Sequence, residues 1–228
     1  MDQMKTVSLD SLFSGEKILH FRKGELLIRC DEETPRGIYF LKKGFVKMNT
    51  ILPDGREIIL NIFKPNSLFP ISWVIADAVN KYNFQAMTPV EVVRQSKDIL
   101  LSYFQNDIRA LFSISRRVMI GTDSLISKIE HLLCGTSYNR IAYALYLLSR
   151  QFGERGPGDA VRIVLPITHQ DIANLVAVSR ETASITLEKL KKQKIITYRR
   201  AQLQINRISD LNEIITDESL PDMENSSI

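Results

Sequence analysis

Residues 168–193 constrain this chain more than any other stretch: Thr-His-Gln-Asp-Ile-Ala-Asn-Leu-Val-Ala-Val-Ser-Arg-Glu-Thr-Ala-Ser-Ile-Thr-Leu-Glu-Lys-Leu-Lys-Lys-Gln. Thr168 is placed to cap a first helix, with Asp171 three residues on as the acidic partner of a capping box. Ile172, Ala173, Leu175 and Val176 give that helix an apolar face, Ala177-Val178 makes a short turn, and Ser179 is placed to cap a second helix. In the second helix Ala183, Leu187 and Leu190 recur at spacings of four and three, one stripe toward a core. Two short helices about a tight turn make a helix-turn-helix, whose second helix meets base edges with its N-terminal turn. Here that turn presents Arg180, Glu181 and Ser184 as base-reading candidates. An arginine forks onto guanine O6 and N7, and a glutamate accepts from cytosine N4.

The placement of charge agrees with that reading. The whole chain carries +4, yet residues 180–207 hold eight basic side chains (Arg180, Lys189, Lys191, Lys192, Lys194, Arg199, Arg200 and Arg207) against Glu181 and Glu188. A basic run beside a helix-turn-helix is a phosphate-binding footprint for double-stranded DNA, with Lys191, Arg199 and Arg200 as candidates. A winged helix that docks protein instead of DNA is the competing reading.

At 228 residues the chain exceeds the usual single-domain size, so more than one domain is expected. Residues 18–97 show short β-type runs between turn signals at Gly24, Thr34-Pro35-Arg36-Gly37, Lys43-Gly44, Pro53-Asp54-Gly55 and Lys64-Pro65-Asn66-Ser67. The runs are Leu26-Leu27-Ile28, Ile38-Tyr39-Phe40-Leu41, Phe45-Val46-Lys47-Met48 and Ile58–Phe63, and Asp54-Gly55 predicts a hairpin. The expected fold class is α+β: an N-terminal jelly-roll barrel over 1–97, a long dimerisation helix and hinge over 98–134, and a C-terminal winged helix-turn-helix over 135–211. An acidic tail over 212–228, with Asp217, Glu218, Asp222 and Glu224, is expected to be disordered.

The helical segment carries two interleaved seven-residue series: Leu111, Val118, Leu125 and Leu132, and Ile108, Ser115, Thr122 and Ile129. Their spacings alternate between three and four, as in a coiled-coil seam, so a homodimer is expected with Leu111, Val118, Leu125, Ile129 and Leu132 at its centre. The same stripe also suits a helix packed on its own barrel. Ser115 and Thr122 either set the register of the seam or reach a ligand held between barrel and helix.

With these parts in place the chain resembles the cyclic-AMP receptor and fumarate-nitrate regulator (CRP/FNR) family, from about residue 15 to 211. The motifs that carry the likeness are Ile-Thr-His-Gln-Asp-Ile-Ala at 167–173 and Val-Ser-Arg-Glu-Thr at 178–182. The resemblance implies a transcription regulator in which Arg180 and Glu181 read a G·C pair and Thr168, Gln170, Ser179 and Thr182 touch phosphates. It also implies that the loop at 153–160, with Pro157 and Gly158 ahead of a strand at Arg162–Thr168, faces RNA polymerase. Where the cyclic-AMP branch has a second base-reading arginine, this chain has Ile185, so its target site is expected to differ beyond the central G·C pair.

The sensor half departs further. Family members that bind cyclic AMP cradle its phosphate with a Gly-Glu-Leu segment and a downstream Arg-Ser. The matching stretches here are Leu68-Phe69-Pro70-Ile71-Ser72-Trp73 and Asn80-Lys81-Tyr82-Asn83-Phe84. Pro70 has no N–H to offer a phosphate, and Lys81 alone does not replace an arginine fork. Cyclic AMP in the family's usual pose is therefore not expected, and the effector stays unknown, with Trp73, Lys81, Ser115 and Thr122 as a candidate pocket. A diverged cyclic-nucleotide-responsive activator is the alternative. Two cysteines, Cys30 and Cys134, fall short of an iron–sulfur ligand set, and no metal site is expected. His20, His131 and His169 lie too far apart in sequence to suggest a metal enzyme, and no hydrolase or P-loop motif occurs. No apolar run suits a membrane span and the opening Met1–Lys5 lacks a leader-like core, which predicts a cytoplasmic protein.

Overall fold

The structure is a computed structural model that describes residues 12–32, 35–199 and 202–216. Its strands and helices follow the chain as β1 (Ile18–Phe21), β2 (Leu26–Ile28), β3 (Ile38–Lys43), β4 (Val46–Ile51), β5 (Glu57–Phe63), β6 (Leu68–Phe69), α1 (Ile71–Ala76), β7 (Asn83–Ala86) and β8 (Val90–Gln95). Then come α2 (Lys97–Asn106), α3 (Ile108–Cys134), α4 (Ser137–Phe152), β9 (Gly153–Arg155), β10 (Val161–Ile163), α5 (His169–Val176), α6 (Arg180–Lys192), β11 (Ile196–Arg199), β12 (Gln202–Ile205) and α7 (Ile208–Thr216). The chain divides into two compact units. One runs to Leu52 and resumes over Ile59–Thr122; the other holds Pro53–Ile58 and everything from Asp123 onward.

The first unit is jelly-roll-like. It has two four-stranded sheets, in the orders β1-β8-β3-β6 and β2-β7-β4-β5, rather than a closed barrel. Strand β3 shows why its sequence reads Ile-Tyr-Phe-Leu without alternation. Tyr39 and Leu41 face the second sheet, where Leu27, Ile28, Val46, Phe84 and Ala86 complete a core. Ile38 and Phe40 face the other way, onto a cluster with Phe13, Val74, Leu100, Phe104 and Ile114. A strand buried on both faces has no polar side. Aromatic rings fill the space between the sheets: Phe69 lies 5.2 Å from Phe84, 5.0 Å from Phe63 and 5.9 Å from Tyr39, centroid to centroid. Glycine suits turns that take a positive φ. Gly44 has φ +88°, and a Cβ there would meet the Pro89 carbonyl at 2.3 Å; Gly55 has φ +84° in the expected Asp54-Gly55 turn.

The helical segment is two helices, not one. Asp107 ends α2 in an extended conformation, and its Oδ1 then accepts from the backbone N–H groups of Arg109 (2.9 Å) and Ala110 (3.1 Å) to start α3.

In the second unit, the sheet order β11-β12-β10-β9 sets a small winged sheet beside α4–α6. The strand expected over Arg162–Thr168 is confined to Val161–Ile163, because Pro166 cannot donate to a ladder and Thr168 already serves as a helix cap. Residues 212–216, expected within a disordered tail, are helical instead. Helix α7 continues to Thr216, held by fully buried Leu211 and by the Asn139 side-chain amide, which donates to the Ile214 carbonyl at 2.9 Å. Asp217, Glu218, Asp222 and Glu224 lie outside the described residues, as does Arg200.

Candidate nucleic-acid interface

The capping box read from the sequence is present. The Thr168 hydroxyl accepts from the Asp171 N–H at 3.1 Å, and Asp171 Oδ2 accepts from the Thr168 N–H at 3.0 Å. Helix α5 ends at Ala177, whose φ of +55° turns the chain sharply into α6. Ser179 then caps α6 by accepting from the Thr182 N–H at 3.1 Å. Ile172, Ala173 and Val176 of α5 and Ala183, Thr186, Leu187 and Leu190 of α6 are buried. That packing leaves Arg180, Glu181, Ile185 and Glu188 exposed on the other side of α6. Hydrogen bonds from its own N–H and from the Ser179 hydroxyl hold the Glu181 carboxyl below the usual carboxylate range. At neutral pH it is therefore an acceptor only.

Ser184 is not on that face. It is half-buried, and its Oγ lies 3.0 Å from His169 Nδ1, while His169 Nε2 lies 3.1 Å from the Tyr198 hydroxyl. One imidazole thus ties together the start of α5, the middle of α6 and strand β11. Burial, with the Glu188 charge adding to it, pushes the Tyr198 phenol up, so it stays protonated and able to donate. The sequence reading missed His169 and Tyr198. Ser184 and Tyr198 meet the two nitrogens of His169 only through the fold, and nothing in local spacing signals it.

The other expected phosphate contacts lie on α5, on α6 and in the wing. Gln170 is exposed, with its amide on Asn174 Oδ1 at 2.8 Å, and Thr182 Oγ1 lies 3.0 Å from Ser179 Oγ. Lys191 pairs with Glu188 at 3.2 Å, and Arg199 is exposed in the wing. Lys189 lies 4.1 Å over the Tyr138 ring.

Along α3 the expected seam divides. Leu111 packs with Ala110 and Ile114 onto the cluster behind the first sheet, so this member faces its own unit. Val118, Leu125 and Ile129 are exposed and Leu132 is half-buried. A third seven-residue series, Phe112, Met119, Ile126 and Leu133, is also exposed, from 51% to 77%. It is visible in the sequence, one residue beyond the Leu111 series, and was not read there. The Ser115 and Thr122 hydroxyls donate to the Leu111 and Val118 carbonyls one turn back, at 2.8 and 3.0 Å. Trp73 packs against the helix cluster with the Lys97 ammonium 5.2 Å from its ring, whereas Lys81 is exposed on the loop before β7. The four residues expected to form an effector pocket lie on three separate elements: Trp73 on α1, Lys81 on the loop before β7, and Ser115 and Thr122 on α3.

The Crp-like helix-turn-helix domain model matches residues 139–214, and the cyclic nucleotide-binding domain model matches 18–107. Over 185 residues the chain is 31% identical to the transcriptional regulator LdrP of Thermus thermophilus, spanning 80% of this chain and 89% of that one. The chain belongs to the CRP/FNR family of transcription regulators. This regulator is also 28% identical over 185 residues to a global nitrogen regulator of Synechocystis sp., covering 78% and 80% of the two chains. It is 29% identical over 171 residues to a CRP-like cAMP-activated global transcriptional regulator of Mycobacterium tuberculosis, covering 73% and 74%. Among solved structures, a CRP/FNR-family regulator from Thermus thermophilus matches with a TM-score of 0.70 at 21% identity, over 90% of this chain and 100% of that one. At those identities the structural likeness speaks for the fold alone. The regulator is a DNA-binding protein, and its relatives are transcription regulators rather than enzymes. Among the described residues no helix is long and apolar enough to cross a membrane.

Proposed function

We propose that this regulator binds a palindromic DNA site as a homodimer and does so without cyclic AMP. The observation that carries the reading is the exposed, capped N-terminal turn of α6, with Arg180 and an ionised Glu181 side by side over a buried stripe. In the major groove these two groups match a G·C pair, while Gln170, Thr182, Lys191, Arg199 and Arg200 approach the phosphates. The exposed apolar face of α3 supports a two-fold partner, which sets two recognition helices about one DNA turn apart. Pro157 and Gly158 are exposed between β9 and β10, in keeping with an approach to RNA polymerase, and the reading places the protein in the cytoplasm.

Three features support independence from cyclic AMP. Pro70 stands at the N-cap of α1, where a phosphate would want an N–H. Asn80, in place of an arginine, is buried with its amide on the Arg29 and Tyr82 carbonyls at 2.8 and 3.0 Å. Stacked rings occupy the space between the sheets. Selection from a random DNA library, followed by affinity measurement with and without cyclic AMP, tests the reading. A palindromic motif is expected, with Arg180→Ala losing about 1–3 kcal/mol and relaxing one base per half-site. Lys191→Ala is expected to weaken all sequences alike and make the salt dependence shallower. An unchanged motif for Arg180→Ala overturns the base assignment. A tenfold or greater gain on adding cyclic AMP overturns the effector reading in favour of a diverged cyclic-nucleotide-responsive activator.

A further inference from the structure

The exposed face of α6 holds one apolar residue that the base and phosphate contacts above do not use. Ile185 is 73% exposed in the middle of a helix whose opposite side is fully packed. Scattered exposed apolar residues are ordinary on protein surfaces, so exposure alone carries little weight. Its neighbours carry the argument. Glu181 lies one turn before it and Glu188 one turn after, both exposed. The Glu181 charge keeps this turn off the phosphate rails, where it would be repelled, whereas the Glu188 charge is offset by Lys191 at 3.2 Å. The same face begins at Arg180 and Glu181, which the proposed docking directs to base edges. Ser184, the other candidate in this turn, is turned away and bonded to His169.

We infer that Ile185 is a specificity-determining residue that reads the 5-methyl group of a thymine. In the major groove all four bases present hydrogen-bonding atoms, and thymine alone adds an apolar methyl. A branched aliphatic side chain makes no hydrogen bond, so it gains free energy only against that methyl and leaves donors or acceptors unpaired against cytosine or guanine. Four residues advance an α-helix by about 6 Å, against about 3.4 Å per base pair. The thymine therefore lies one or two base pairs from the G·C pair assigned to Arg180 and Glu181. The inference rests on the docking of α6 proposed above.

The test uses the full-length protein on the selected operator. Each thymine of a half-site is replaced singly by deoxyuridine, which lacks only the methyl. One position within two base pairs of the G·C pair is expected to lose about three- to fivefold in wild-type affinity, the scale of one buried methyl group. Ile185→Ala is expected to bind the thymine and uracil operators alike while keeping the G·C preference, and Ile185→Val to keep both. The residue is exposed, so these variants fold, and circular dichroism checks it. A wild-type protein indifferent to every deoxyuridine, or an Ile185→Ala variant that still discriminates, overturns the inference and leaves Ile185 as a protein contact. If Arg180→Ala selects an unchanged motif, the docking itself has failed and this assignment falls with it, a distinct result.

Discussion

Lys128 lies on α3 six residues before the helix ends at Cys134, and burial lowers its ammonium from lysine's ordinary 10.5 to about 8. The sign follows from proton counting. Between pH 8 and 10.5 the unfolded chain holds a proton at Lys128 that the folded chain has released, so stability rises with pH across that window. The slope is at most about 1.4 kcal/mol per pH unit. Lys128→Met is expected to stabilise the protein at pH 7 and to remove the rise, as urea titrations at pH 7, 8, 9 and 10 would show. A slope surviving in the variant would assign it to other groups. Charge of this kind was not legible in the sequence, where Lys128 is one more polar residue of an amphipathic helix. Ser184 makes the same point from the other side. Spacing put it with Arg180 and Glu181, but its partner is His169, fifteen residues back on α5, and only the fold brings the two within bonding distance.

At the scale of elements, His169 joins α5, α6 and β11 through two hydrogen bonds, each worth about 1 kcal/mol net in a half-buried setting. His169→Ala is expected to lose about 1–3 kcal/mol of stability. Combined with Tyr198→Phe it is expected to lose less than the sum of the two single changes, because both remove the same bond. Additive losses in a double-mutant cycle would mean that the His169–Tyr198 bond contributes nothing. The helix-turn-helix was legible because caps, turn and buried stripe are all local, and Thr168, Asp171 and Ser179 stand as read. Strands β2 to β5 were legible through their turns. Strands β7 and β8 and helix α1 were not, since Asn83–Ala86 has no strong β pattern and is set by pairing with β4 and β2. The break at Asp107 was missed because an aspartate inside a helical pattern is cheap to overlook until its carboxylate is seen bonding Arg109 and Ala110.

For the whole molecule the decisive surface is the outer face of α3. Phe112, Met119, Ile126 and Leu133 widen the exposed seam of Val118, Leu125 and Ile129 to three positions in seven. A stripe that broad on an exposed helix favours a second copy. Val118→Glu with Leu125→Glu is expected to yield a folded monomer in sedimentation that no longer holds a palindromic site, since an unpaired buried charge costs about 3–5 kcal/mol. A dimer surviving both changes would place its interface elsewhere. The packing of Trp73 has an optical consequence. It is the only tryptophan in the chain, and it sits among the helices behind the first sheet, beside the Lys97 ammonium. Its emission therefore reports on the melting of the N-terminal unit, so comparing it with far-ultraviolet dichroism, which follows both units, tests whether the two melt together without any added label.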